Sequence, residues 1–277
     1  MKVLVAEQAG YCYGVERALR LTGEAIERER KPIYTLGPII HNPQVVEEFA
    51  ARDVRQVSGI DGVSKGTIIV RTHGVDPEII IAAEKKGLSM VDATCPFVAK
   101  AQQRAAALSD DGYNLVIVGE KEHPEVVGIL AHAGGKATVV ENVEEAAGVK
   151  GTRIGVVVQT TQSVENLRRI VGSLMPKAGE IKIFNTICSS TTRRQESAKK
   201  LAEEVGMMIV VGGKNSANTS RLSQICRDTG TSTYHIETAR ELRPEWTAGV
   251  EVVGVTAGAS TPEWLLQEVI EKLKEIG

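Results

Sequence analysis

Residues 92–103, DATCPFVAKAQQ, place a cysteine between a threonine and a proline at the mouth of a helical pattern. A structural thiol belongs on an apolar stripe, where cysteine is commonly buried. Cys95 instead follows a short apolar run and opens the segment FVAKAQQRAAALSDDG, 97–112. The arrangement occurs twice more, with Cys12 in AGYCYGVERALR and Cys188 in NTICSSTTRRQE. The spacings are 83 and 93 residues, each about the length of one α/β subdomain.

Around these cysteines, apolar strand-like runs alternate with amphipathic stretches. The runs are MKVLVA (1–6), GTIIVRT (66–72), YNLVIVG (113–119), TRIGVVVQ (152–159), GMMIVVG (206–212) and VEVVGVT (250–256). Near-continuous Val/Ile runs alternating with helices predict parallel sheets covered on both faces, an α/β fold.

A second echo follows each cysteine. LGPIIHNPQVV, VGEKEHPEVVG and VGGKNSANTSR each carry a glycine after a strand, and four residues past Gly37, Gly119 and Gly212 stand His41, His123 and Ser216. Their offsets from the preceding cysteine are 29, 28 and 28 residues. A third polar cluster ends a later strand in each unit: RTHGV with His73, VQTTQ with Thr160 and Thr161, VTAGAS with Ser260. Matched residues at matched offsets predict three tandem α/β units. The expected lobes are 14–96, 97–190 and 191–277, the last completed by 1–13. Ligands of open α/β sheets collect beyond the carboxyl ends of the strands. Three such ends facing inward would pool three thiols with a ring of His, Ser, Thr and Asn.

Bulk properties narrow the function classes. The 277 residues are 42% hydrophobic and 25% charged, a globular profile, and the scarcity of aromatics (4%) leaves the core to Val, Ile, Leu and Ala. A net charge of −2 shows no basic footprint for nucleic acid. The N-terminal apolar run is too short for a signal peptide, and no run approaches the length that crosses a bilayer. A cytoplasmic address is therefore expected, where spaced cysteines serve as metal ligands or catalytic groups rather than disulfides.

The three thiols could serve a zinc site, nucleophilic catalysis or an iron–sulfur cluster. Structural zinc takes four ligands in close pairs, which these spacings lack. Three separated thiolates suit a cubane cluster, whose irons face different directions and one of which would stay open. Backbone N–H groups at a helix mouth also suit an anionic sulfur. Cys226 differs, because Leu222, Ile225 and Cys226 fall at helical spacing and read as core. The polar ring suits a small anion such as a phosphate, although no nucleoside-triphosphate loop is present. His41, His73 and His123 occupy repeat positions, whereas His132 and His235 do not and read as surface or packing residues. Glu125, in EHPEVV, has two equal readings: a proton donor beside a ring histidine, or a first-turn glutamate favoured by the helix dipole.

The ordered set AGYCYGVERAL, HNPQVVEEF, RTHGV, DATCPFV, EHPEVVGI, QTTQS, GGKNSANTSRL and TAGASTP resembles the 4-hydroxy-3-methylbut-2-enyl diphosphate reductase family, also called IspH or LytB, from residue 10 to about 266. The resemblance implies three pseudo-repeated α/β lobes around a central [4Fe–4S] cluster with three cysteine ligands and one open iron. It implies reductive removal of an allylic hydroxyl with two electrons and two protons, giving isopentenyl and dimethylallyl diphosphate, the last step of the non-mevalonate pathway. By the same resemblance Cys12, Cys95 and Cys188 match cluster ligands, and His41, His73, His123, Ser216, Asn218 and Ser260 match the diphosphate pocket. Glu125 matches the proton-delivering glutamate and Thr160 the threonine beside the substrate hydroxyl. Ala217 departs from relatives that carry serine there, which would weaken one diphosphate contact. A ferredoxin or flavodoxin would fit as electron donor, and neither nucleic acid nor membrane is implied. The rival reading is an iron–sulfur hydro-lyase acting on a small anion without net redox.

Overall fold

A computed structural model describes residues 1–277. In chain order the elements begin with β1 (Lys2–Val5), α1 (Tyr13–Arg28), β2 (Ile33–Leu36), α2 (Pro43–Ala50), β3 (Val54–Val57), β4 (Thr67–Val70), α3 (Pro77–Lys85) and β5 (Ser89–Asp92). They continue with α4 (Pro96–Asp110), β6 (Asn114–Val118), α5 (Pro124–His132), β7 (Ala137–Val140), α6 (Val143–Ala147), β8 (Arg153–Val158), α7 (Val164–Leu174) and β9 (Glu180–Ile183). The last third contains α8 (Ser189–Glu204), β10 (Met207–Val211), α9 (Ala217–Asp228), β11 (Ser232–Ile236), β12 (Val252–Ala257) and α10 (Glu263–Ile276). No helix is long and apolar enough to cross a membrane.

The strands form three four-stranded sheets of one topology: β3-β2-β4-β5, β7-β6-β8-β9 and β11-β10-β12-β1. Every pairing is parallel. The fourth strand of the last sheet is the N-terminal β1, whose Lys2–Val5 lie in register with Val252–Val255 of β12. The α/β expectation and its three repeats are thus the architecture found. Contacts divide the chain into two compact units, one of Met1–Val15, Ile40–Val46 and Ser189–Gly277, the other of Glu16–Ile39 and Glu47–Cys188. The first unit contains the sheet of β1, β10, β11 and β12, and the second contains the other two sheets.

The strands read as unbroken Val/Ile runs because both faces are covered. Leu115–Val118 of β6 and Met207–Val211 of β10 are buried along their length. Each such side chain contributes about 1.5–3 kcal/mol on full burial. β8 and β12 each carry a glycine at their third residue. A Cβ on Gly155 would lie 3.0 Å from both methyls of Leu108, and one on Gly254 would lie 3.0 Å from Leu201 and Val205, so α4 and α8 pack close over these strands. Helix starts follow local capping chemistry, with Asp76, Asn142 and Ser163 accepting from backbone N–H groups of α3, α6 and α7.

The carboxyl ends repeat atom for atom. Gly37, Gly119 and Gly212, just past β2, β6 and β10, donate their amides to Val57, Val140 and Ile236, the last residues of β3, β7 and β11, at 2.8–2.9 Å. That bond ends the central strand and turns the chain toward the helix that follows. Because β10 is an interior strand of its sheet and Ile209 is fully buried, Ile209→Ala should leave a cavity and lower unfolding free energy by about 2–5 kcal/mol in urea melts.

Candidate active site

Each of the three repeat cysteines stands immediately before a helix: Cys12 before α1, Cys95 as the cap of α4, and Cys188 before α8. Their amides make the same bond. Cys12 donates to the carbonyl of Ala259 at 3.3 Å, Cys95 to Thr72 at 2.9 Å and Cys188 to Thr160 at 3.0 Å. Each acceptor is two residues past the end of β12, β4 or β8. The third polar cluster that follows each cysteine in sequence is therefore stitched to the next one in cyclic order: the His73 cluster to Cys95, the Thr161 cluster to Cys188 and the Ser260 cluster to Cys12. The register also refines the sequence reading, because His73, Thr161 and Ser260 each follow an acceptor, so Thr161 rather than Thr160 is the counterpart of His73. All three thiols are half-buried and outside any disulfide. Cys226 is fully buried, its thiol sits 3.8 Å from the Ala198 carbonyl, and burial pushes it up to about 12. It is the core residue its spacing predicted.

In the unit that carries two sheets, a contiguous polar chain links the predicted residues. The rings of His73 and His123 meet edge to face with centroids 5.3 Å apart. His123 caps α5, its Nδ1 accepting from the Glu125 amide at 3.1 Å. The Glu125 carboxyl, 1% exposed, accepts from the Thr160 amide at 2.6 Å and the Thr160 hydroxyl at 2.8 Å. Thr160 in turn holds Cys188 through its carbonyl. Burial raises Glu125 from the ordinary carboxylate value to about 7, against the two Thr160 bonds, which pull the other way, and with a small push from the Glu120 charge. A carboxyl poised near neutrality beside a hydroxyl can hold and deliver a proton.

In the other unit Ser216 caps α9, accepting from the Thr219 amide at 3.4 Å. Asn218 is 6% exposed, and its side-chain nitrogen has no hydrogen-bond partner. The Ser260 hydroxyl donates to the His41 carbonyl at 2.9 Å, and a Cβ on Gly213 would lie 2.7 Å from the same oxygen. A larger residue at 213 would displace that loop. The Arg194 guanidinium donates to the carbonyls of Gln8 and Gly10, fixing the segment that leads into Cys12.

Some residues of the site escaped the sequence reading. Asn42, not His41, is the helix-cap counterpart of His123 and Ser216, because its Oδ1 accepts from the Val45 amide at 3.1 Å. Asn42 stands five residues past Gly37, against four for His123 and Ser216 past Gly119 and Gly212, so the four-residue match fell on His41 instead. Gln102 is buried and donates to the His73 carbonyl at 3.4 Å. Gln195 stands at the same seven-residue offset from Cys188 and is also buried, a match in two of the three copies, since Leu19 holds that place after Cys12. Gln159 accepts from the Glu120 amide and donates to Thr161. His132 and His235 bond the carbonyls of Gly128 and Gly212, as packing residues do.

The family model described as LytB protein matches residues 3–274. The chain belongs to the LytB family. A 4-hydroxy-3-methylbut-2-enyl diphosphate reductase of Geotalea uraniireducens is 52% identical over 277 residues, covering 100% of this chain and 98% of the relative. The same-named protein of Aquifex aeolicus is 46% identical, covering 99% of this chain and 96% of the relative. A solved structure of (E)-4-hydroxy-3-methyl-but-2-enyl diphosphate reductase, described as the terminal enzyme of the non-mevalonate pathway, is 46% identical with a TM-score of 0.72, covering 99% of this chain and 100% of that one. The E-1-hydroxy-2-methyl-but-2-enyl-4-diphosphate reductase of Plasmodium falciparum is 28% identical with a TM-score of 0.94, covering 99% of this chain and 88% of that one. Like these LytB relatives, the chain is an enzyme, an oxidoreductase.

The raised Glu125 has a measurable consequence. Its folded-state value lies above the ordinary 4.5, so folding takes up a proton between about pH 4.5 and 7, and its contribution to stability falls as pH rises through that window. Glu125→Gln lacks this slope. Between pH 5 and 8 the variant should gain on the wild type by up to ~3 kcal/mol in urea unfolding, at about 1.4 kcal/mol per unit. Parallel curves would place the carboxyl at its ordinary value instead.

Proposed function

We propose that this chain is a 4-hydroxy-3-methylbut-2-enyl diphosphate reductase working on a [4Fe–4S] cluster held by Cys12, Cys95 and Cys188, with a cytoplasmic setting that keeps those thiols reduced. The observation that carries this reading is the buried Glu125–Thr160 pair, a neutral-range proton source bonded to the residue that anchors Cys188. The three lobes 14–96, 97–190 and 191–277, the last with 1–13, are its repeating units, each contributing one thiol.

The residues fit such a cluster. The three thiols are half-buried, free of disulfides and held by equivalent backbone bonds at helix starts, unlike the inert Cys226. When bound, the cluster supplies electrons and Lewis acidity for breaking an allylic C–O bond. The balance is one hydroxylated diphosphate plus two electrons and two protons, giving isopentenyl or dimethylallyl diphosphate and one water.

The protein's own part is binding and protonation. Glu125, when neutral, passes its proton to the Thr160 hydroxyl, and Thr160 passes its own to the departing oxygen, so the leaving group is water rather than hydroxide. His41, His73, His123, Ser216, Asn218 and Ser260 hold the diphosphate. The unpartnered, buried nitrogen of Asn218 supports that role, because a buried donor without an acceptor is costly unless a ligand supplies one. The diphosphate lies away from the reacting carbon, so its binding energy orients the hydroxyl toward Thr160.

Anaerobically purified protein should be brown, with iron and sulfide lost or reduced in Cys12→Ser, Cys95→Ser and Cys188→Ser and retained in Cys226→Ser. A colourless wild type after reconstitution would remove this chemistry. Asn218→Ala should raise KM for the diphosphate roughly tenfold or more with the cluster spectrum unchanged, matching about 1.5–3 kcal/mol for a hydrogen bond to a charged group. Turnover should require an electron donor, whereas a hydro-lyase would proceed without one.

A further inference from the structure

The start of α4 carries a charge pattern that neither the fold nor the proton chemistry uses. Pro96, Ala99, Lys100, Gln103 and Arg104 line an open concavity of about 510 Å³. Its edge is one peptide bond from Cys95, and the Ala99 amide donates to the Cys95 carbonyl at 2.9 Å. Lys100 and Arg104 are exposed, and neither makes an ion pair. Arg104 lies 4.6 Å over the Phe184 ring, and the Lys182 ammonium is 5.6 Å from the same ring, so a third cation extends the strip. Asp111 is paired with Lys182 and Glu180 with Arg153, while at the other end Asp92, three residues before Cys95, accepts from the Thr94 amide at 2.8 Å. Phe97, 39% exposed, adds an apolar contact beside the cations.

The other two cysteine-led helices differ. α1 has Glu16 in its first turn and an Arg20–Glu24 pair, and in α8 Arg193 is followed by Glu196 within one turn. α4 has no carboxylate before Asp110. Lys100 and Arg104 are the fifth and ninth of the 15 residues of α4, outside its last turn, so the helix dipole gives their charges no stabilising role. Uncompensated cations around an apolar contact, next to a redox ligand, match the charge complementarity that steers protein encounters.

We infer that the Pro96–Arg104 face of α4 docks an acidic one-electron carrier protein and is the entry point for electrons into the centre held by Cys95. The inference rests on the proposed reductase function. Two carriers are each oxidised by one electron per turnover. Those two electrons, with two protons, break the substrate C–O bond and release water. A nucleic acid is a poorer occupant, because the chain is net negative and the face has no run of stacking aromatics.

The test uses the full-length, cluster-loaded protein, a purified ferredoxin of net negative charge and, separately, reduced methyl viologen. The variants are Lys100→Glu/Arg104→Glu, the neutral Lys100→Gln/Arg104→Gln, and the control Lys199→Glu/Lys200→Glu on exposed positions of α8. The expected result is a roughly tenfold or greater fall in kcat/KM for ferredoxin in the Glu pair at about 50 mM salt, smaller in the Gln pair and shrinking at about 0.5 M. Oxidised ferredoxin should bind the Glu pair roughly tenfold more weakly by titration calorimetry. Viologen-driven turnover and the paramagnetic spectrum of the cluster should stay at wild-type levels. Equal ferredoxin binding by wild type and both α4 variants, or an equal loss in the α8 control, overturns the docking face. A wild type that is inactive with viologen overturns the reductase reading instead, and the calorimetric comparison still decides the docking face.

Discussion

The backbone amide of each repeat cysteine is tied to a carbonyl two residues beyond a parallel strand, and the candidate site depends on that bond. It fixes the cysteine at the mouth of its helix and, in the same stroke, the polar residue that follows the acceptor: His73, Thr161 or Ser260. Two of these bonds are 2.9–3.0 Å and the third 3.3 Å, ordinary in length and worth only about 0.5–1.5 kcal/mol each in net stability. Their value is positional. A parallel sheet sends all its strands out at one end, so one bond per repeat is enough to register a thiol against a polar cluster.

Glu125 shows the cost of that arrangement. Burial alone would push its carboxyl further toward the neutral form, and the two Thr160 bonds partly restore the charged one. The outcome near 7 leaves both protonation states accessible, which a proton donor needs and a structural carboxylate does not. A first-turn glutamate serving the α5 dipole would gain from exposure and charge. Instead the side chain turns inward onto Thr160 and away from water. These surroundings support the proposed proton-donor role and do not suit a dipole partner, which needs its charge.

The same logic distinguishes the four cysteines. Cys226 lies on the buried face of α9 with Leu222, where desolvation suppresses ionisation. Cys12, Cys95 and Cys188 sit half-buried at helix starts, where a ligand or an electron carrier can reach them. On α4 that access coincides with unpaired cations, whereas on α1 and α8 it coincides with mixed charge.

The sequence by itself determined the strand runs, the parallel α/β class, the threefold repeat and the positions of the three outlying thiols. All of these follow from local periodicity and from spacing, which a linear chain displays directly. The tertiary structure alone decided that Asn42 rather than His41 caps α2, that Thr161 rather than Thr160 is the counterpart of His73, and that Gln102 holds the His73 carbonyl. It also decided that Glu125 is buried against Thr160, 35 residues away. Capping and pairing depend on which atoms meet across loops, and burial depends on what the rest of the chain packs over a residue. Neither is written in the distance between two letters.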